Sequence, residues 1–352
     1  MDLYIKDAAK LLQTTTRAIR FYEEKGLIYP QKAVDNNYRF FTDQDLLRLH
    51  TILALREIGI PVQEIKQLLS EEGMNTRKYL DIQRAALFEK WLEIRDMLGT
   101  IDGMVGRTEY SDFSMKDIHK LAQHLKNLKE QRKGWVDKWD FDSWADNFDS
   151  HIKQEGHGFN VHQGYDEALA KVVQLVERKE NALVVDIGVG TGNLGAKFLQ
   201  NEGSRVIGVD QSDEMLLECK RAHPEIDTRK GHFLALPLLD EQADAIVSSY
   251  ALHHLPDKEK LLALEEMTRV LKAGGQICIA DLMFVDKSHR KEVMDELQAA
   301  GNTEAIAAIE DEYYADCSVL IDWLLGHGYS VDSWQLNDIL GIIYAKTEGE
   351  RY

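Results

Sequence analysis

VDIGVGTGN, residues 185–193, decides how the larger part of this 352-residue chain reads. The apolar run ALVVDIG ends in three alternating glycines, and the helical NLGAKFLQ follows. A strand, a tight turn and a helix bring backbone N–H groups up to a ligand at the helix N-terminus. Gly188, Gly190 and Gly192 form GxGxG, which misses the GxGxxG spacing of a dinucleotide site by one residue. Asp210 ends the next strand, SRVIGVD, eighteen residues past Gly192, where its carboxylate can take both hydroxyls of a ribose. Ser212 is a natural N-cap for the following helix, and Met215 one turn inside it is placed to pack on an adenine.

Strand and helix keep alternating through SDEMLLECKRA, DAIVSSY, KEKLLALEEMTRVLK and QICIADLMF, with a final strand expected at DILGIIYAKT. That order predicts an α/β domain with a parallel sheet covered on both faces. VDIGVGTGN, VIGVDQSDEML, GHFLALPLLDEQADAIVSSYALHHL and RVLKAGGQICIADLMF together resemble class I S-adenosylmethionine-dependent methyltransferases over roughly residues 140–346. FDSWADNFDSHI and EDEYYADCSVL resemble a small bacterial subgroup of that family. The resemblance implies a Rossmann-like, seven-stranded sheet with one antiparallel strand, and S-adenosylmethionine as cofactor. It implies Asp186 and Gly188 near the methionine end, Asp210 at the ribose and Phe233 at the adenine through its N–H. Gly190, Gly192, Gln211, Met215, His232 and Ser248 complete the implied cofactor set. Many relatives carry an acidic acceptor where this chain has His232. A neutral imidazole can also accept from an adenine amino group, and a solvent-facing loop histidine is the equal alternative.

A sulfonium is already activated, so methyl transfer needs a nucleophile held in line at about 3 Å with water excluded. No general base is compulsory. Tyr250, His253, His254, Tyr313 and Tyr314 are the catalytic candidates around the implied acceptor pocket, each with core packing as its alternative. Phe148, His162 and Tyr165 belong either to a lid or to a helix packed on the sheet. Without HxxxH, HExxH or a cysteine pair, no metal is expected.

The first seventy residues read differently. Ile5, Ala8, Leu11 and Leu12 form one helical stripe, and Thr14-Thr15-Thr16 opens a second helix that Gly26 ends. VDNNYRFF suits a hairpin, Thr42 with Asp45 resembles a capping box, and Pro61 opens a further helix. Helix, turn, helix, wing, helix is a winged helix-turn-helix order. IRFYEEKGLI and NNYRFF resemble the MerR family of transcriptional regulators, over about residues 3–72. Carried across, Thr16, Arg17, Arg20 and Tyr22 face DNA from the recognition helix, while Tyr38 and Arg39 serve the wing. Core packing is the alternative for one of Phe21 and Tyr22. Gln13 stands at a turn position usually held by glycine, and costs up to about a kcal/mol if left-handed.

Between the two parts, Leu87, Trp91, Ile94, Leu98, Ile101 and Val105 follow spacings of 4, 3, 4, 3 and 4, a heptad seam suited to a coiled-coil homodimer. An amphipathic helix docked on its own domain is the alternative. The basic run KNLKEQRKG beyond it reads as a solvated linker. The expected domains are therefore 1–73, a winged helix-turn-helix; 74–133, a coiled-coil dimerisation helix and linker; and 134–352, a methyltransferase-like domain.

Net charge of −18 argues against nucleic acid for the chain as a whole, but residues 1–75 carry ten basic against eleven acidic side chains. A near-neutral head on an acidic body fits a small DNA-binding module on a small-molecule domain. No run of eighteen apolar residues spans a bilayer, and MDLYIKD has no leader character, so a cytoplasmic location is expected. Cys219, Cys278 and Cys317 read as buried, reduced thiols. The expected function is a dimeric regulator on an inverted repeat of promoter DNA, whose second domain methylates a small molecule, senses S-adenosylmethionine or that ligand, or does both. The alternative is a methyltransferase-fold sensor without transfer.

Overall fold

The computed structural model describes residues 3–32, 39–57, 61–70, 76–108, 119, 122–123, 126, 141–152, 160–177, 179–200 and 203–347. It separates into two compact units, Met1–Lys90 and Trp91–Tyr352.

In the first unit, β1 (Leu3–Tyr4), β2 (Gln31–Lys32) and β3 (Arg39–Phe41) pair antiparallel in the order β1-β3-β2. They accompany α1 (Ile5–Leu11), α2 (Thr16–Glu24), α3 (Asp43–Glu57) and α4 (Val62–Ser70). Local chemistry sets the boundaries. Gln13 adopts φ 50°, the left-handed turn its position demands. Thr15 Oγ1 accepts from the Ala18 N–H at 3.0 Å and caps α2. Thr42 and Asp45 cap α3 reciprocally: Thr42 N donates to Asp45 Oδ2 at 2.9 Å, and Asp45 N donates to Thr42 Oγ1 at 3.2 Å. Ile19, Leu27, Ile28, Leu49, Ile52 and Ile65 form the core. The asparagine hairpin, with Tyr38, lies outside the described residues.

Helix α5 (Thr76–Thr108) follows. Leu87, Ile94, Leu98 and Ile101 are 46–56% exposed, and Leu80, one heptad earlier, is 57% exposed. Trp91 departs from this seam: the Arg269 guanidinium stands 4.8 Å and that of Arg95 5.5 Å from its ring centre. Docking on its own unit thus engages Trp91, while Leu87, Ile94, Leu98 and Ile101 stay open.

The second unit is built on a sheet of order β10-β11-β8-β7-β4-β5-β6, with a short β9 (Ala315–Asp316) beside β8. Its strands are β4 (Leu183–Ile187), β5 (Arg205–Asp210), β6 (Asp227–Lys230), β7 (Ala243–Ser249), β8 (Leu271–Phe284), β10 (Tyr329–Gln335) and β11 (Leu340–Thr347). β11 runs antiparallel to both neighbours, and the other pairings are parallel. This is the seven-stranded arrangement with one reversed strand, plus a two-residue addition. Alternation splits each strand between two cores: Val185, Ile187, Ile246 and Ile279 pack on one face, and Val184, Val247, Cys278 and Ala280 on the other. β6 and β10 leave little mark in the sequence, because DTRK and YSVDSWQ carry too few apolar residues to announce an edge strand. All three cysteines are free and buried.

Candidate functional site

The strand order reverses at β4, which pairs with β5 on one side and β7 on the other. Ligands of open α/β sheets bind beyond the strand C-termini at such a point, and the glycine turn stands there. Gly188 has φ 71°, and a Cβ on it would run into that of Ala251. Gly188 and Val189 donate to the Val209 carbonyl at 2.8 and 3.1 Å, folding the turn against β5. Gly190 N donates to Asp210 Oδ2 at 2.9 Å, and Ser212 N donates to Oδ1 at 3.0 Å. The Asp210 carboxylate is therefore fixed by backbone donors at both oxygens.

Gly188, Gly190, Asp210, Gln211, Met215, His232 and Phe233 all line one pocket. Tyr250, Ala251, His254 and Leu255 close the side nearest β7, and Phe141 and Phe148 cover the top. No lysine or arginine is among its described lining residues. An apolar wall with one fixed carboxylate suits an adenosine carrying a positive group.

Three residues of the implied cofactor set are not among the pocket's lining residues. Gly192 (φ 96°) precedes the helix α8 (Asn193–Leu199), where a Cβ would come within 2.8 Å of His223 and 2.9 Å of Cys219 Sγ. It permits helix packing and does not line the pocket. Ser248 is fully buried and donates to the Ile187 carbonyl at 2.8 Å, tying β7 to β4. Asp186, 1% exposed, lies behind the turn. Neither of its oxygens has a well-aligned hydrogen bond among the described residues. Burial raises its pKa to about 7, the Gly195 N–H offsets part of that rise, and Asp210 adds to it.

His232 lines the pocket, and its Nδ1 accepts from the Leu234 N–H at 3.2 Å.

A strap of two short helices, α6 (Phe141–Trp144) and α7 (Phe148–Ile152), crosses the pocket. Asp142 Oδ1 accepts from Ser212 Oγ at 2.6 Å and Glu214 N at 3.3 Å, at the start of the helix after β5. Asp149 Oδ1 accepts from Thr191 Oγ1 at 2.7 Å and Asn193 Nδ2 at 2.8 Å, on the glycine turn itself. Phe148 lines the pocket from this strap. Both aspartates were missed, since their partners lie 42 to 72 residues away.

Among the catalytic candidates, Tyr250 and His254 line the pocket, and Tyr313 and Tyr314 do not. Tyr250 holds a strained φ of 48°. Tyr313 is 43% exposed and contributes its carbonyl to Lys260 Nζ at 2.6 Å; Tyr314 is 4% exposed and packs near Phe284. His253 is buried beneath the turn. Burial disfavours its charged form, but Asp281 and Glu312 outweigh that and raise its pKa. His254 is held well below the usual range by burial, then by His253 and Lys260.

In the first unit Thr16 is half-buried, and Arg17 and Arg20 are exposed on α2. Tyr22 is instead 7% exposed in the core, and Phe21 is the outward ring at 40%. Packing is what the structure shows for Tyr22. Arg39 Nε donates to both oxygens of Glu23, at 2.9 and 2.7 Å, which commits it to an internal ion pair.

Residues 184–275 match the methyltransferase-domain family model, and residues 3–72 match the MerR HTH family regulatory protein model. An uncharacterized methyltransferase of Alkaliphilus oremlandii is 33% identical over 210 residues, covering 59% of this chain and 96% of that protein. Another, from Geobacillus kaustophilus, is 34% identical over 210 residues, covering 58% and 94%. The structure of magnesium protoporphyrin IX methyltransferase from Synechocystis, with bound SAH, is similar at 16% identity and a TM-score of 0.46, covering 59% of this chain and 97% of that one. With nearly the whole length of such relatives matched behind a MerR-type head, the chain belongs to the methyltransferase family and carries a MerR HTH domain at its N-terminus.

Proposed function

We propose that the C-terminal domain binds S-adenosylmethionine and transfers its methyl group to a small molecule, and that the head places this domain on promoter DNA as a dimer. The observation carrying the cofactor is the pocket at the sheet's switch point, with Asp210 clamped by Gly190 and Ser212 and no cation on its described wall. The residues fit the cofactor: Asp210 takes the ribose hydroxyls, Met215 and Phe233 hold the adenine between them, and Gly188 lets the backbone come close to the methionine part. When bound, the sulfonium supplies an activated methyl group. The chain's own work is to orient that group, exclude water with Phe141 and Phe148, and hold an acceptor beside Tyr250 and His254. In this reading Thr16, Arg17 and Arg20 meet an inverted-repeat operator in the cytoplasm, and the domains run 1–73, 74–133 and 134–352.

A sensing role is favoured by one further observation. The strap that grips the glycine turn precedes β4 in the chain, on the side of the sequence that leads to the head. Among the described residues no helix is long and apolar enough to cross a membrane.

Calorimetry with S-adenosylmethionine, paired with a gel shift on the chain's own upstream DNA, tests the proposal. One site per chain is expected, weakened about 10- to 100-fold by Asp210→Ala through loss of two charge-assisted hydrogen bonds. No heat of binding, or affinity indifferent to Asp210→Ala, sinks the cofactor assignment. A DNA complex unmoved by the cofactor removes sensing and leaves transfer standing.

A further inference from the structure

The 3-10 turn Leu252–His254 carries two histidines to the edge of the pocket, and Glu312 reaches them from the far side of the chain, beyond the helix Thr303–Asp311. His253 Nε2 lies 3.3 Å from Glu312 Oε2. One donor atom from each of His253, His254 and Glu312 falls within 4.8 Å of the others. For a charged imidazole on a carboxylate 3.3 Å is long, since such bonds run at about 2.7–2.9 Å. It matches two ligands of one ion: donors about 2.0–2.2 Å from zinc at a tetrahedral angle stand roughly 3.4 Å apart. The remaining separations, at most 4.8 Å, exceed that span by up to about 1.4 Å, which side-chain movement of His254 closes.

What lies behind His253 supports this. Asp281, 1% exposed, takes His253 Nδ1 at 2.5 Å and accepts from the N–H groups of Ala251, Leu252 and Leu282 at 3.1, 2.5 and 2.6 Å. A carboxylate fixed by backbone donors therefore holds Nδ1 protonated and turns Nε2 toward Glu312. Metal-binding histidines are commonly oriented in this way. Asp281 and Glu312 bring two negative charges to the cluster. Lys260, the cation nearby, is spent on the Leu255 and Tyr313 carbonyls, both at 2.6 Å, and on Asp257 at 3.2 Å.

We propose that His253, His254 and Glu312 bind a divalent transition-metal ion of the zinc type. Three protein ligands leave at least one position open, and His254 places it at the cofactor pocket. That position suits an acceptor thiol or phenol, which binds as the anion after its proton leaves to water. The acceptor step rests on the methyl transfer proposed above, whereas the metal site does not.

The test is equilibrium dialysis of the full, tag-free, chelator-stripped chain against cobalt(II), read by metal content and visible absorption. One equivalent is expected, with the intense visible band of a four- or five-coordinate site. Glu312→Gln and His254→Ala should each weaken binding by about tenfold or more, while Glu312→Gln still gives the heat of S-adenosylmethionine binding. Circular dichroism of both variants guards against misfolding. A chain that takes up no cobalt, or takes it up equally well as Glu312→Gln and as His254→Ala, overturns the site and leaves an Asp281–His253–Glu312 ion pair. Cobalt bound as expected without any cofactor heat supports the metal site and refutes the cofactor assignment instead.

Discussion

Asp186 sits on β4 under the glycine turn, its carboxyl 1% exposed and its pKa raised to about 7 by burial and by Asp210, against a partial opposing effect of the Gly195 N–H. Unfolded, it titrates near the ordinary carboxylate value of about 4. Between these values the folded chain keeps a proton that the unfolded chain has lost, so stability falls as pH rises. The slope is at most roughly 1.4 kcal/mol per pH unit, and it flattens above the folded value. The transition temperature of the second unit is therefore expected to drop between pH 5 and pH 7, and Asp186→Asn to remove that part of the drop. Differential scanning calorimetry at several pH values reads it; identical slopes for the two chains would refute it. The sequence placed Asp186 near the cofactor by its motif. That it stands behind the wall, without a well-formed partner, depends on how β4, β5 and the next helix pack.

At the scale of elements, the strap of α6 and α7 owes its position to two aspartates more than to its own helices, which are only four and five residues long. Segments this short are unstable alone. Asp149→Ala deletes the acceptor of both Thr191 and Asn193. Hydrogen exchange in residues 141–152 should quicken, and S-adenosylmethionine affinity should fall about five- to tenfold, the worth of one good hydrogen bond or slightly more. Unchanged exchange would mean that Phe141 and Phe148 hold the strap without help. FDSWADNFDSHI stood out in the sequence only through resemblance. Nothing local in it shows that its carboxylates bind a turn far along the chain.

For the whole molecule, the question is the face of α5. Leu80, Leu87, Ile94 and Ile101 repeat every seven residues and are 46–57% exposed, an apolar row that water disfavours. The proposed coiled-coil dimer covers it. Leu87→Asp with Ile94→Asp should convert a dimer into a species near the 40.3 kDa chain mass, read by light scattering on a sizing column. The same change should cost most of the affinity for a two-half-site operator. A wild-type chain already at monomer mass would end the dimer proposal. Trp91 marks the limit of reading such a seam: its spacing is that of a partner-facing residue, yet Arg269 and Arg95 occupy its ring.

By itself the sequence determined the order of elements, the α/β class of the second domain, the GxGxG turn with Asp210 and the caps of the head. These features are written in periodicity and turn chemistry, which act within a few residues. Only tertiary structure decided which marked residues share a wall. It set Gly192 against His223 and Cys219, tied Ser248 to Ile187, put Tyr22 inside and Phe21 outside, and bonded His232 Nδ1 to the Leu234 N–H. It also brought Glu312 to His253. Each of these outcomes depends on contacts between segments far apart in the chain, whose distances are set by sheet order and helix packing and leave no local mark on the residues concerned.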